Sequence, residues 1–307
     1  MIEARGLTKR YGSSTAVDDL SFDVRDGCIT GFLGPNGSGK STTMRLMLQL
    51  DQPDAGHATF GGRRYRDLRH PLREVGALLD AKYVHPTRSC GNHLKAMAVT
   101  NSIPVSRVDE VLDLVGLGEV ADKRVGGFSL GMSQRMGIAV ALLGDPHTLL
   151  FDEPVNGLDP EGILWVRRFM QQLAREGRTI LVSSHLLSEM AQTAEDLVVI
   201  GRGRLISQGT VEDFVNGAAG TWVEVRSPRA EELARLLHAQ GAQISMGQGA
   251  FSVVGVEAPA IGEPAAEHGI VLHELSPRQA SLEEAFLEAT KGEQEYQSGA
   301  AMPGGAT

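Results

Sequence analysis

One stretch of nine residues constrains the fold of this chain more than any other. It reads Gly34-Pro35-Asn36-Gly37-Ser38-Gly39-Lys40-Ser41-Thr42 and fits the pattern G-x-x-x-x-G-K-[ST]. The apolar run 29–33 before it is typical of a strand, and residues 42–50 after it repeat apolar side chains at helical spacing. A strand, a glycine-rich turn and a helix in this order predict a phosphate-binding loop in an α/β fold.

The residue types in this loop suit the phosphates of a nucleotide. Glycines at 34, 37 and 39 let the backbone turn tightly and direct successive N–H groups toward an anion at the positive end of a helix. We expect Lys40 to contact the β- and γ-phosphates and the Ser41 hydroxyl to ligate Mg²⁺. The alternative, a glycine-rich loop with a surface lysine by accident, is disfavoured by the flanking strand and helix.

Two acids follow a later strand. Residues 147–151 form an apolar run that ends in Asp152 and Glu153, which predicts carboxylates at the carboxyl edge of a parallel sheet. There Asp152 would contact the Mg²⁺ shell, and Glu153 would orient and deprotonate the attacking water. The alternative is a solvated strand end. A second apolar strand, 179–183, ends before His185; a lone histidine usually caps or packs, but the shared sheet edge favours a γ-phosphate contact.

Three weaker patterns follow, and the first two leave alternatives open. Tyr11 either packs on a sheet or stacks on a base. Residues 128–135 lead into a helical run, which indicates either a second phosphate-contacting turn or an ordinary helix cap by Ser133. The alternating segment 20–24 and the Asp26-Gly27 turn predict an antiparallel hairpin leading into the phosphate loop.

Length and composition limit the class of protein. A chain of 307 residues has room for one large core and a smaller domain, and its formal charge of −9 argues against a broad basic surface for nucleic acid. The charged N-terminus lacks the apolar block of a secretory signal, and apolar runs such as 137–143 are too short to span a membrane. Cys28 and Cys90 lack metal-type spacing, so we expect buried or semi-buried free thiols in a cytoplasmic protein.

The chain order of these motifs, over about residues 2–215, resembles the ATP-binding subunit of an ABC transporter. The resemblance implies an α/β P-loop NTPase core: a mostly parallel sheet, an antiparallel β subdomain and a helical insert at about 81–135. After a linker at 216–220, alternating strands and helices at 221–290 predict a small α+β domain. The Gly, Ala, Ser and Gln content of residues 291–307 predicts a disordered tail.

The same resemblance assigns roles to individual residues. For nucleotide binding, it implies that 34–42 is the Walker A loop and that Tyr11 stacks on adenine. For hydrolysis, it implies that Asp152 is the Walker B aspartate, that Glu153 is the catalytic base and that His185 is the switch histidine. For the dimer, it implies that Ser129 and Gly131 belong to the signature sequence and that Asp159 contacts the partner.

Two departures from the family pattern stand out. Asp80 occupies the position where the family usually has a glutamine, and we expect it to contact metal or water. Phe128, Leu130 and Met132 replace the usual Leu, Gly and Gln of the signature. Both departures resemble variants in the drug and bacitracin-type export branch, and the segment 281–287 resembles the C-terminal extension of that branch.

The resemblance implies ATP and Mg²⁺ as cofactors and a second copy, or a sister cassette, as partner, with Ser129, Gly131 and Asp159 acting across the dimer. It implies export of a drug, peptide antibiotic or lipid-like substrate through a separate multi-span permease, at the cytoplasmic face of the membrane. An ABC ATPase acting on ribosomes or DNA is the main alternative, disfavoured by the single cassette. A nucleotide-binding regulator is disfavoured by Glu153 and His185.

Overall fold

The computed structural model describes residues 1–80, 84–219, 221–247 and 250–290. These residues form two compact units, Met1–Thr210 and Val211–Ala289. None of the helices in the described ranges is long and apolar enough to cross a membrane.

The first unit alternates strands and helices along the chain. Its strands are β1 (Ile2–Tyr11), β2 (Ser14–Val24), β3 (Ile29–Leu33), β4 (Ala55–Phe60), β5 (Val75–Leu78), β6 (Thr148–Asp152), β7 (Thr179–Ser184), β8 (Asp196–Gly201) and β9 (Arg204–Thr210). Its helices are α1 (Lys40–Met47), α2 (Pro71–Glu74), α3 (Cys90–Thr100), α4 (Ser106–Leu114), α5 (Leu130–Leu142), α6 (Pro160–Arg175) and α7 (Leu187–Thr193).

The main sheet contains six strands in the order β5-β6-β7-β3-β8-β9. All neighbours pair in parallel except β8 and β9, which pair antiparallel. Every residue of β3, β7 and β8 is buried, as expected for central strands covered on both faces. The predicted α/β fold is therefore confirmed.

A second, antiparallel sheet has the strand order β2-β1-β4. The predicted hairpin between the strand at 20–24 and the next strand is therefore wrong, because β2 pairs with β1 while β3 lies in the main sheet. Gly27, at φ 71°, turns the chain between the two sheets. Arg25 fixes this crossing by donating from Nη2 to Asp196 Oδ1 at the start of β8, over 2.7 Å.

Helices α3 and α4 lie between β5 and β6, as predicted for the helical insert. The side chain of Ser89 caps α3 by accepting the Asn92 N–H at 3.4 Å. Cys90, at the first turn of α3, is a buried free thiol, and so is Cys28; both match the prediction. The first residues assigned to the insert, 81–83, lie outside the described residues.

Helix α6 shows how sequence periodicity produces packing. Its buried side chains, Val166, Phe169, Met170 and Leu173, recur at the spacing of one helix face. Asp159 caps the helix and Pro160 occupies its first turn, a position where the missing N–H of proline costs nothing. Asp159 and Pro160 thus mark the start of α6, and the buried side chains mark the face that packs on the core.

The second unit contains α8 (Val211–Ala219), β10 (Thr221–Arg226), α9 (Ala230–Ala239), β11 (Gln243–Met246), β12 (Phe251–Val254), α10 (Ala258–Glu267), β13 (Glu274–Gln279) and α11 (Leu282–Ala289). Its antiparallel sheet has the order β11-β12-β10-β13. Side chains from this sheet, α9 and α10 form a core separate from that of the first unit. The predicted small α+β fold is confirmed.

Helix α8 continues through Ala219, where the sequence predicted a linker at 216–220. The glycine and alanines suggested a flexible connection, but Glu212 and Asp213 stabilise the first turn, and Phe214 and Val215 bury apolar surface. Residue 220 and the predicted tail 291–307 lie outside the described residues.

Close packing between β5 and α5 generates a testable prediction. A Cβ added to Gly76 would overlap the backbone carbonyl of Ala141, an atom that cannot move aside without shifting α5. We expect Gly76→Ala to lower the free energy of unfolding by about 1–3 kcal/mol in urea denaturation, as overpacked cores do. Gly127→Ala is the control, since its Cβ would meet only the Lys123 Cε at 3.6 Å. Equal stability of the two variants would contradict this packing.

Candidate functional site

The phosphate-binding loop predicted from the sequence connects β3 to α1. Gly39 adopts φ 101° immediately before the helix, and Gly37 adopts φ 80°. A Cβ on Gly39 would also overlap the carbonyl oxygen of Ala16. Glycine is therefore required at position 39 by both the backbone conformation and the close approach of a neighbouring strand.

Lys40 lies back across this loop. Its ammonium donates hydrogen bonds to the carbonyl oxygens of Gly34 at 2.7 Å and Pro35 at 3.2 Å. The residue is only 7% exposed, and this burial lowers the pKa of Lys40, although Glu153 and Asp152 act in the opposite direction. A desolvated cation held by neutral carbonyls is well suited to an incoming anion.

The loop borders a cavity of about 470 Å³, referred to below as the phosphate cavity. It is lined by Ala16, Asn36, Gly37, Ser38, Gly39, Lys40, Ser41, Thr42, Glu153, Asn156 and His185. The fold thus brings most of the predicted loop together with Glu153 and His185, which are far from it in sequence. The hydroxyl of Ser38 is buried there and has no hydrogen-bond partner among the described residues.

Parallel strand pairing aligns the residues that end β3, β6 and β7. Leu33 pairs with Ser184, and Asp152 pairs with Ser183. The carboxyl ends of these strands therefore reach the same edge of the sheet, where ligands bind in open α/β folds.

The hydroxyl of Ser183 links the two acids. It donates to Asp152 Oδ1 at 2.5 Å and accepts the backbone N–H of Glu153 at 2.9 Å. Glu153 has φ 49°, in the left-handed region that favours glycine. Its Oε2 lies 2.6 Å from Nδ1 of His185. Ser183 and His185 thereby fix the backbone and the side chain of Glu153.

A second cavity of about 480 Å³ lies beside the first and is called the acidic cavity below. Ser41, Asp80 and Asp152, the three residues predicted to contact metal, all line it. The described residues contain no cluster of three or more His, Cys, Asp or Glu side chains that could bind a metal by themselves. One hydroxyl and two carboxylates fit Mg²⁺, which retains water and phosphate ligands rather than binding an all-protein cage.

Tyr11 lies at the end of β1 and does not line the phosphate cavity. Its ring is 50% exposed, and Nζ of Lys9 lies 5.4 Å from the ring centroid. Its hydroxyl donates to Asp51 Oδ2 at 3.1 Å. The half-exposed ring leaves room for stacking, and the bond to Asp51 fixes its orientation.

The three residues assigned to the dimer contact are not among those that line the phosphate cavity. Ser129 caps α5 by accepting the Met132 N–H at 3.2 Å, and Asp159 caps α6 by accepting the Gly162 N–H at 3.0 Å. Gly131 follows the Ser129 cap by two residues. The alternative of a Ser133 cap is wrong, because Ser129 is the cap residue and the Ser133 hydroxyl donates to the Ser129 carbonyl at 3.0 Å.

Sequence reasoning missed four polar residues at or near these cavities: Ser183, Asn156, Gln134 and Arg45, the last a basic residue of α1 that lines the acidic cavity. Ser183 is a polar residue inside an apolar strand, which was the one available signal. Asn156 lines both cavities, although it was interpreted only as part of a turn. Gln134 is a buried amide on α5 that lines the acidic cavity.

Comparisons with known proteins agree with this geometry. Residues 17–156 match the family described as ABC transporter, and residues 221–283 match a domain of unknown function. The chain is 42% identical to the bacitracin transport ATP-binding protein BcrA of Bacillus licheniformis, over 68% of this chain and 69% of BcrA. It is 34% identical to the uncharacterized ABC transporter ATP-binding protein YhcH of Bacillus subtilis, over 94% of this chain and 96% of YhcH.

A solved structure titled as the ATP binding subunit of an ABC transporter superposes with a TM-score of 0.64 at 26% identity. The superposition covers 71% of this chain and 92% of that one. Its extent agrees with a cassette of similar fold followed by additional residues in this chain.

The bridge between the two acids generates a prediction about stability. Ser183→Ala leaves the Glu153 N–H without its acceptor and Asp152 without a donor, so we expect the free energy of unfolding to fall by about 1–3 kcal/mol. Ser184→Ala is the matched control: Ser184 is 1% exposed, but its hydroxyl accepts a single N–H, from Leu186 at 3.0 Å. Urea denaturation should show the larger loss for Ser183→Ala, and the reverse order would refute the bridge.

Proposed function

The chain belongs to the ATP-binding subunits of ABC transporters and is an ATPase of that family; from this premise we propose that it powers export through a separate membrane-spanning permease. The observation that carries the proposal is the phosphate cavity, where the glycine-rich loop, Lys40, Glu153 and His185 meet. We assign the ATPase to residues 1–215 and propose a peptide antibiotic, drug or lipid-like substrate. The similarity to a protein named for bacitracin transport supports that substrate class.

In the proposed site the loop binds the phosphates. Backbone N–H groups of the loop and the N-terminus of α1 would face the anion, and Lys40 would exchange its carbonyl partners for phosphate oxygens. Ser41, Asp80 and Asp152 would hold Mg²⁺, which when bound offsets the negative charge of the phosphates. Tyr11 would stack on adenine.

Glu153 is proposed as the general base. Its carboxylate borders the phosphate cavity, and the 2.6 Å contact with His185 fixes its orientation. From this position it can accept the proton of a water molecule that attacks the terminal phosphate. Ser183 supports the same geometry by anchoring the Glu153 backbone.

Ser129, Gly131 and Asp159 are proposed to complete the site of a second subunit, either another copy of this chain or a sister cassette. Their position outside the phosphate cavity of their own chain supports this role. The side chain of Ser129 accepts one N–H in its cap, and its hydroxyl proton remains able to donate to a phosphate. Such a dimer would act at the cytoplasmic face of the membrane.

Replacing the proposed base tests the function directly. Glu153→Gln retains the shape of the side chain but cannot accept the proton, so we expect ATP hydrolysis to fall at least 100-fold while ATP binding persists. Size-exclusion chromatography with ATP should then show a stable nucleotide-bound dimer. Glu161→Gln, an exposed carboxylate in the first turn of α6, is the control and should hydrolyse ATP normally. Unchanged turnover in Glu153→Gln would refute the assignment.

Lys40 provides a test of nucleotide binding. We expect Lys40→Ala to weaken ATP binding roughly 10- to 100-fold in calorimetry, because hydrogen bonds to charged phosphates are lost. Lys123→Ala removes an exposed lysine and should bind ATP normally. Since burial lowers the pKa of Lys40, the wild-type affinity should also decline as alkaline pH removes its proton. Equal ATP affinity of the two variants would exclude Lys40 from the site.

A further inference from the structure

Gln134 is a buried amide whose acceptor atom has no partner. The other buried residues of α5 are apolar, Met136 and Ile138 among them. Gln134 itself is 8% exposed. Its Oε1 is buried, and no hydrogen-bond donor reaches it among the described residues. Buried polar atoms in native proteins nearly always have a partner, so an unpaired one calls for a specific explanation.

The environment of Gln134 restricts what that partner can be. The residue lines the acidic cavity together with the carboxylates Asp80, Asp152 and Glu153 and with two donor-bearing side chains, Arg45 and Asn156. Neither of those two donors is within hydrogen-bond reach of Oε1. Ionised carboxylates accept hydrogen bonds but cannot donate them, so none of these acids can satisfy Oε1 directly. A water molecule can donate to both Oε1 and a carboxylate, and a cavity of about 480 Å³ has ample room for one.

The packing of α5 on β5 identifies which carboxylate lies opposite Gln134. The helix runs antiparallel to the strand, so residues earlier in α5 lie beside residues later in the segment that contains β5. Two close contacts set this register, pairing Gly76 with Ala141 and Leu78 with Gly137; a third, between Leu72 of α2 and Gly144 just after α5, continues it. One further turn toward the N-terminus of α5 reaches Gln134, and Asp80 lies two residues beyond the end of β5. Both side chains line the acidic cavity, which favours Asp80 as the carboxylate nearest to Gln134.

We propose that Gln134 is a positioning residue that holds the Asp80 carboxylate, through a shared water molecule, in the geometry for Mg²⁺-dependent nucleotide binding. The inference rests on the proposed function, because it concerns the cavity assigned to the metal. In this pair Gln134 of α5 contributes a neutral amide, and Asp80, after the end of β5, contributes a negative charge. Asp152 is held separately by Ser183, at 2.5 Å.

The pair explains why a glutamine is retained at a buried position of α5. An apolar side chain would pack there with no unpaired atom, so the amide destabilises the empty protein relative to that alternative. It gains its partner only when the cavity is hydrated and Asp80 is oriented. Gln134 is thus placed for ligand binding rather than for folding.

The test compares a substitution that removes the amide acceptor of Gln134 with one that retains an acceptor and adds charge. Gln134→Met retains the length of the side chain but removes both hydrogen-bonding atoms, and Gln134→Glu retains the acceptor and adds negative charge beside Asp80. In a Glu153→Gln background, which prevents hydrolysis, the readout is the Kd for ATP by calorimetry across a Mg²⁺ titration and again in EDTA. Gln172→Met, at an exposed residue whose amide bonds Glu176 at 3.1 Å, is the matched control.

We expect Gln134→Met to raise the Kd roughly 3- to 10-fold in Mg²⁺ and to leave it unchanged in EDTA. Gln134→Glu should reach half-saturation at a Mg²⁺ concentration equal to or below that of the parent, because added negative charge attracts the cation. In an Asp80→Ala background the Met substitution should have no further effect, since coupled residues are not additive.

Three results would overturn the proposal: an unchanged Kd in Mg²⁺ for folded Gln134→Met, an equal loss in Mg²⁺ and in EDTA, or a full additional loss in the Asp80→Ala background. If Gln134→Met does not fold, a higher Mg²⁺ requirement for Gln134→Glu overturns it instead. Failure of the parent protein to bind ATP at all would refute the proposed function, which is a separate result.

Discussion

The parallel pairing of β3, β6 and β7 is the constraint on which the site depends. Because these strands run in the same direction and in register, the phosphate loop, the two acids and His185 emerge at one edge of the sheet. Every residue of β3 and β7 is buried, so both faces of these central strands are covered by other parts of the fold. The geometry of the proposed site therefore follows from strand pairing inside the core, and the loops complete it.

Sequence alone predicted the parts of the site that are local. The phosphate loop, the acids after β6 and His185 after β7 each follow a strand, and a strand end is recognisable from apolar patterning. What depends on tertiary contact was missed. Periodicity identifies 20–24 as a strand but does not reveal its partner, so β2 was assigned to the wrong sheet. Ser183 resembles any strand serine until the register brings its hydroxyl between Asp152 and Glu153.

Helix boundaries and helix registers set a second limit. Ser129 and Ser133 are both good capping residues, and only the actual start of α5 at Leu130 decides between them. The proposed pairing of Gln134 with Asp80 depends on close contacts around α5 and β5, where Gly76, Gly137 and Gly144 let backbone and side chains approach. A single sequence contains the glycines, but it does not state which residues face them.

The backbone conformation of Glu153 lowers the stability of the fold at the residue that is proposed as general base. A left-handed φ of 49° costs a non-glycine residue about 1–2 kcal/mol, and the strand end maintains it through the bond to Ser183. Glycine would relieve that strain and remove the carboxylate in the same step. A selection for thermal stability alone would therefore favour the loss of this side chain, and the role proposed for Glu153 as general base accounts for its presence despite the strain.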